Sequence, residues 1–167
     1  MKAWILIGMM GAGKSTVGKR LADLAGREYL DTDQLIVNRL GKPVDRIFEQ
    51  YGQQTFRDHE SSIIGSLEAG AKVISTGGGA VVRDENFEAL KRIGVTIYLK
   101  VSPEQLIERL KTSRKKRPLL MRDDWEKEFM RLYHERSTIY EQSEITIELD
   151  SLTLEEAAEK LFAELNQ

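Results

Sequence analysis

Residues 8 to 15 read Gly8-Met9-Met10-Gly11-Ala12-Gly13-Lys14-Ser15, which completes the pattern G-x-x-x-x-G-K-[ST]. The apolar run Ala3-Trp4-Ile5-Leu6-Ile7 leads into this stretch and an amphipathic segment leaves it, so the order is strand, loop, helix. Each residue type has a physical task. Glycines let backbone N–H groups turn inward and approach polyphosphate oxygens that a Cβ would hold off. A helix beginning near Lys14 adds unpaired N–H donors and the positive end of its dipole. The Lys14 ammonium can reach β- and γ-phosphates, and the Ser15 hydroxyl can serve Mg²⁺. The stretch reads as a nucleotide-binding loop.

Short apolar runs and helical patterns alternate on either side of it. The β-type runs are Ala3 to Ile7, Glu28 to Leu30, Lys72 to Ser75, Val95 to Lys100 and Ile145 to Leu149. Helical spacing covers roughly residues 14–25, 33–40, 53–69, 84–92, 103–111, 124–141 and 153–165. Short strands separated by helices pair in parallel through right-handed crossovers, which predicts a doubly wound α/β sheet. Ligands of such sheets sit beyond the carboxyl ends of the strands. The last helical stretch spaces Leu154, Ala157, Ala158, Leu161, Phe162 and Leu165 as a packing face.

Composition narrows the partners. With 167 residues, 41% hydrophobic and 31% charged, the chain suits one globular domain with a substantial core. A formal net charge of -2 gives no global basic field, so no nucleic-acid partner is expected. Cys is absent, which excludes disulfides, thiolate metal sites and cysteine nucleophiles. No apolar run approaches a membrane span and no signal-peptide pattern opens the chain, so the reading is cytoplasmic, without a membrane partner. A monomer is expected.

Four further stretches carry chemistry. Asp31-Thr32-Asp33 ends the second strand: one carboxylate could orient water on Mg²⁺ while the other accepts a proton from a hydroxyl. The competing assignment is a helix cap by Thr32 or Asp33. In Phe56-Arg57-Asp58-His59-Glu60, Arg57 and Glu60 share a helix face. They form either a solvated ion pair or an anion-binding fork held by the carboxylate. Thr76-Gly77-Gly78-Gly79-Ala80 offers bare peptide surface on which a ligand can lie, or a wide turn. The strand before it lacks the aspartate that commonly supports the metal, which leaves Mg²⁺ to Ser15 and Asp31.

Lys111 to Arg117 carries five positive charges in seven residues, including Lys115 and Lys116, and reads as a loop. With Pro118-Leu119-Leu120 it could fold over the nucleotide, Arg117 neutralising the transferring phosphoryl group, or remain a charged surface loop. Arg136, taken alone, is a surface arginine, and His59 and His134 are surface histidines without metal-ligand spacing.

The phosphate loop, Asp31-Thr32-Asp33, Phe56-Arg57-x-x-Glu60, Gly77-Gly78-Gly79, Arg117-Pro118-Leu119-Leu120 and Arg136, in that order, resemble the shikimate kinase family from Ile5 to the last helix. The resemblance implies a P-loop NTPase of the nucleoside-monophosphate-kinase type, a three-layer α/β fold around a five-stranded parallel sheet. It implies a single domain over 1–167, with substrate-binding helices at about 32–61 and a lid at about 112–122. It also implies phosphorylation of the shikimate 3-hydroxyl by ATP with Mg²⁺, giving 3-phosphoshikimate and ADP in aromatic amino-acid biosynthesis.

Carried onto this chain, the family pattern assigns Gly11, Ala12, Gly13, Lys14, Ser15 and Thr16 to the nucleotide, with Ser15 and Asp31 at the metal. Asp33, Arg57, Gly78, Gly79 and Arg136 would hold shikimate. Asp33 would accept the hydroxyl proton, and Lys14 and Arg117 would act on the transferred phosphate. Members place an arginine before the lid and a proline in the last loop around the adenine; here Arg109 is the nearest arginine and Leu154 stands at the proline position. The residue chemistry alone leaves gluconate or a nucleoside monophosphate open as acceptor, and a nucleotide-dependent switch as a different class.

Overall fold

The computed structural model describes residues 1–113 and 117–167. Five strands, β1 (Ala3–Ile7), β2 (Glu28–Asp31), β3 (Lys72–Ser75), β4 (Gly94–Lys100) and β5 (Ile145–Glu148), form one sheet in the order β2-β3-β1-β4-β5. Every pairing is parallel, with Trp4 opposite Val73 on one side and Val95 on the other. All five residues of β1 are buried, because a central strand with neighbours on both edges and helices on both faces must be apolar throughout. The edge strands β2 and β5 tolerate charge: Glu28 and Glu148 are exposed.

Among the described residues seven α-helices surround the sheet: α1 (Lys14–Ala25), α2 (Thr32–Leu40), α3 (Val44–Ser66), α4 (Asp84–Ile93), α5 (Pro103–Thr112), α6 (Trp125–Tyr140) and α7 (Leu154–Leu165). The face read on the last helix is the one α7 buries, with Ala157, Ala158 and Leu161 inaccessible and α1 as its neighbour. A capping box between Thr153 and Glu156 starts it. Among the described residues no helix is long and apolar enough to cross a membrane.

Two expectations need correction. The helical pattern at 53–69 belongs to α3, which begins at Val44 and contains a break at Gly52, where φ is 81° and ψ 172°. Its first turns show no long apolar stripe, since Ile47 is the one fully buried residue before the break; it joins Ile36, Phe56 and Ile63 in a separate small cluster. The basic stretch is not loop throughout: Lys111 and Thr112 close α5, and Pro118–Met121 forms a 3₁₀ turn packed on α6. Lys115 and Lys116, with that part of the expected lid, lie outside the described residues.

Candidate active site

The site is built where β1 and β3 end. Gly13 caps α1 at φ 95° and ψ 18°, a left-handed turn that a Cβ would strain, and the Leu154 side chain lies on it. The Lys14 ammonium is buried and donates to the carbonyls of Gly8 at 2.6 Å and Met9 at 2.8 Å, so it spans the mouth of the loop. Arg109 reaches over from α5 and donates to the Gly11 and Ala12 carbonyls at 3.1 and 3.2 Å. In place of the aspartate missing from β3, Ser75 donates to the Lys14 carbonyl at 2.8 Å and ties the start of α1 to the sheet.

Asp31 does two things at once. Its Oδ1 accepts the amides of Asp33 at 2.9 Å and Gln34 at 3.2 Å, while its Oδ2 accepts the Ser15 hydroxyl at 3.1 Å. The α2 cap is therefore Asp31, rather than Thr32 or Asp33. A carboxylate one position earlier has the extended backbone that a cap requires, and helical geometry begins at Thr32. Thr32 is instead fully buried, and its Oγ1 accepts the Gly77 amide at 3.2 Å.

The three glycines are explained by space. None of Gly77, Gly78 and Gly79 has a positive φ. A Cβ on Gly77 would sit 2.6 Å from Asp33 Oδ1, and one on Gly79 would fall on the Arg57 guanidinium, 2.5 Å from Cζ. Arg57 in turn donates to Glu60 Oε1 at 2.8 Å, with side-chain exposures of 15% and 0%, so this is a buried fork and not a solvated pair. The second Glu60 oxygen is buried without a hydrogen-bond partner among the described residues. Burial raises the Glu60 carboxyl above its ordinary range, opposed by the neighbouring Arg57 charge.

Arg136, read in isolation as a surface residue, is 7% exposed on α6. Its guanidinium, like that of Arg117, is pushed below its ordinary value by desolvation; both keep their charge at neutral pH. Asp33 stabilises the Arg117 charge, and Arg117 donates to Ser113 at 3.0 Å. His134 is exposed and His59 half-buried.

Two cavities result. The larger, about 510 Å³, is lined by Gly11, Gly13, Lys14, Ser15, Thr16, Asp31 and Arg109, while the Ala12 side chain is buried in the core. The smaller, about 310 Å³, is lined by Arg57, Glu60, Gly79 and Arg136 against an apolar wall that includes Phe48, Phe56 and Leu119. Met10, Asp33, Gly77, Gly78 and Arg117 belong to both. Nothing in the sequence marks Phe48 or Tyr140, whose hydroxyl donates to the Gly78 carbonyl. Each lies on a helix where an aromatic residue reads as ordinary core.

A phosphate loop at the end of a central parallel strand, opening through a shared wall onto a small cationic cavity, defines a P-loop small-molecule kinase. The family model "Shikimate kinase" matches residues 10–166. Shikimate kinase of Thermodesulfovibrio yellowstonii is 39% identical over 98% of this chain and 95% of its own length. That of Pelotomaculum thermopropionicum is 43% identical over 96% and 94%. The structure of shikimate kinase from Acinetobacter baumannii in complex with shikimate superposes with a TM-score of 0.91 at 35% identity, covering 99% of this chain and 93% of that one. The chain belongs to the shikimate kinase family.

Proposed function

We propose that this protein transfers the γ-phosphoryl group of ATP to the 3-hydroxyl of shikimate, with the nucleotide in the larger cavity and the acceptor in the smaller. The carrying observation is the wall common to the two cavities, on which Asp33 and Arg117 both stand. A phosphoryl group in transit must be reachable from both sides at once.

In this reading the amides of Gly11 to Ser15 and the Lys14 ammonium hold the β- and γ-phosphates, with Thr16 beside them and Arg109 at the adenine end. The Ser15 hydroxyl and Asp31 carboxylate, 3.1 Å apart, are two oxygen donors of the kind Mg²⁺ takes alongside phosphates and water, so the residues fit that ion. Bound there, Mg²⁺ would neutralise charge on the phosphates. Arg57 and Arg136 bind the acceptor carboxylate, and Gly78 and Gly79 let its ring approach the backbone. Glu60, buried behind Arg57, holds that guanidinium toward the acceptor.

Asp33 orients the attacking hydroxyl and takes its proton as the new P–O bond forms; the bond to the bridging oxygen breaks and ADP leaves. A loose transition state asks little base strength of Asp33. Arg117, on the segment 117–122 acting as lid, meets the charge on the transferring group. We take the protein to act as a monomer in the cytoplasm.

A coupled ADP-release assay offering shikimate, gluconate and AMP separately tests the reading. Turnover with shikimate alone is expected. Preference for either other acceptor, or ADP release indifferent to all three, would overturn it.

A further inference from the structure

Tyr140 lies one helical turn beyond Arg136 on α6 and has no part in the chemistry above. Its ring is inaccessible to solvent and packs against Tyr98, centroids 5.2 Å apart. The hydroxyl, however, ends in the site. It donates to the Gly78 carbonyl and lies 3.6 Å from the Met9 sulfur. The Arg136 guanidinium is its electrostatic neighbour, with one nitrogen 3.6 Å from where a Gly78 Cβ would sit. These three neighbours come from three parts of the machinery. Gly78 is on the wall shared by both cavities, and Arg136 lines the acceptor cavity. Met9 belongs to the phosphate loop, and its carbonyl receives the Lys14 ammonium at 2.8 Å.

A phenol has one proton and two lone pairs, so a proton committed to Gly78 leaves oxygen density for a cation. Arg136 needs it. Arg57, a like charge, faces the same region and pushes on Arg136, whereas Glu60 and Tyr140 attract it. An arginine has many rotamers; a buried phenol has two torsions, both fixed here by packing.

We propose that Tyr140 is a positioning residue for the transfer: its hydroxyl holds the Arg136 guanidinium and the Gly78 peptide in one register, setting the acceptor carboxylate at a fixed distance from the phosphate loop. It touches neither substrate and acts through those two groups. The inference rests on the acceptor cavity being the shikimate site.

Tyr140→Phe removes one oxygen and keeps the ring. Steady-state kinetics with each substrate varied, calorimetry with Mg·ATP and thermal unfolding together read the outcome. Freeing the Arg136 guanidinium from its polar neighbour predicts a fall of about ten- to a hundredfold in kcat/KM for shikimate. The Mg·ATP affinity is expected to stay near that of the parent, with a modest fall in Tm from the unpaired Gly78 carbonyl. In an Arg136→Lys background the same change is expected to cost much less, because both substitutions remove one interaction. Parental kcat/KM for shikimate, an equal loss toward both substrates accompanied by a lowered Tm, or full additivity with Arg136→Lys would each overturn the proposal.

Should the Phe variant fold poorly, 4-aminophenylalanine in place of Tyr140 keeps a donor for Gly78 and weakens the acceptor for Arg136. The same selective loss is expected, and parental kinetics there would equally overturn the role. An unsubstituted protein that does not phosphorylate shikimate sinks the functional reading and this inference with it; an active protein indifferent to Tyr140 substitution sinks this inference alone.

Discussion

Gly79 shows how much one absent carbon can decide. The space its Cβ would occupy is taken by the Arg57 guanidinium, which is itself held by the buried Glu60. Gly79→Ala must displace that cation, and the expected result is a rise of about tenfold or more in KM for shikimate with ATP affinity unchanged. Kinetics with each substrate varied would show it; an unchanged KM would mean that Arg57 has another way to reach the acceptor. Lys14 makes the complementary case on the nucleotide side. Lys14→Ala is expected to lower kcat/KM by about 10³ or more, and a near-parental value would reject its role.

Glu60 adds a pH dependence. Its carboxyl is raised in the fold above the ordinary 4.5, mainly by burial, so between the two values the folded state binds more protons than the unfolded. Stability is therefore lost as pH rises from about 4.5 through the folded value and is level above it. Glu60→Gln lacks this loss, so its unfolding free energy relative to the parent is expected to rise with pH across that window. Denaturant titrations at a series of pH values measure the difference; one that falls with pH would reverse the sign assigned to burial.

At the scale of elements, α3 is the most informative. Gly52 breaks it at φ 81° and ψ 172°, a region only glycine occupies readily, yet nothing lies within 4 Å of where its Cβ would be. Substitution there costs conformational energy without any clash. Gly52→Ala is expected to lose about 1–3 kcal/mol of stability by urea unfolding and to raise KM for shikimate, because Val44 and Phe48 before the break line the acceptor cavity. Unchanged stability would mean that the two halves of α3 join into one helix at no expense. The break also explains why a helical period is legible only from residue 53: Gly52 leaves helical geometry and interrupts the 3.6-residue repeat, although Ile47 before it and Phe56 and Ile63 after it bury into one cluster. The α1 and α7 patterns were readable because each helix packs one stripe on the main core.

Across the whole molecule, α2 and α3 carry their own small apolar cluster beside the large one built around the sheet. The acceptor cavity lies between that cluster and the 3₁₀ turn on α6. Binding both substrates is expected to slow amide hydrogen exchange in residues 117–122 more than either alone, since Arg117 faces both cavities. Exchange unchanged by the ternary complex would remove the lid role from this segment.

What the chain determined by itself was local or periodic. The eight-residue loop is legible as a phosphate-binding pattern because all its donors are neighbours in sequence, and the alternation of apolar runs specifies a parallel α/β sheet. The order of the motifs added the family. Tertiary structure alone decided which distant side chains share an environment: that Arg136 is buried, that Asp31 is both cap and partner of Ser15, and that Tyr140 meets a carbonyl 62 residues away. Burial and charge proximity are properties of packed neighbours, and no short window of sequence contains them.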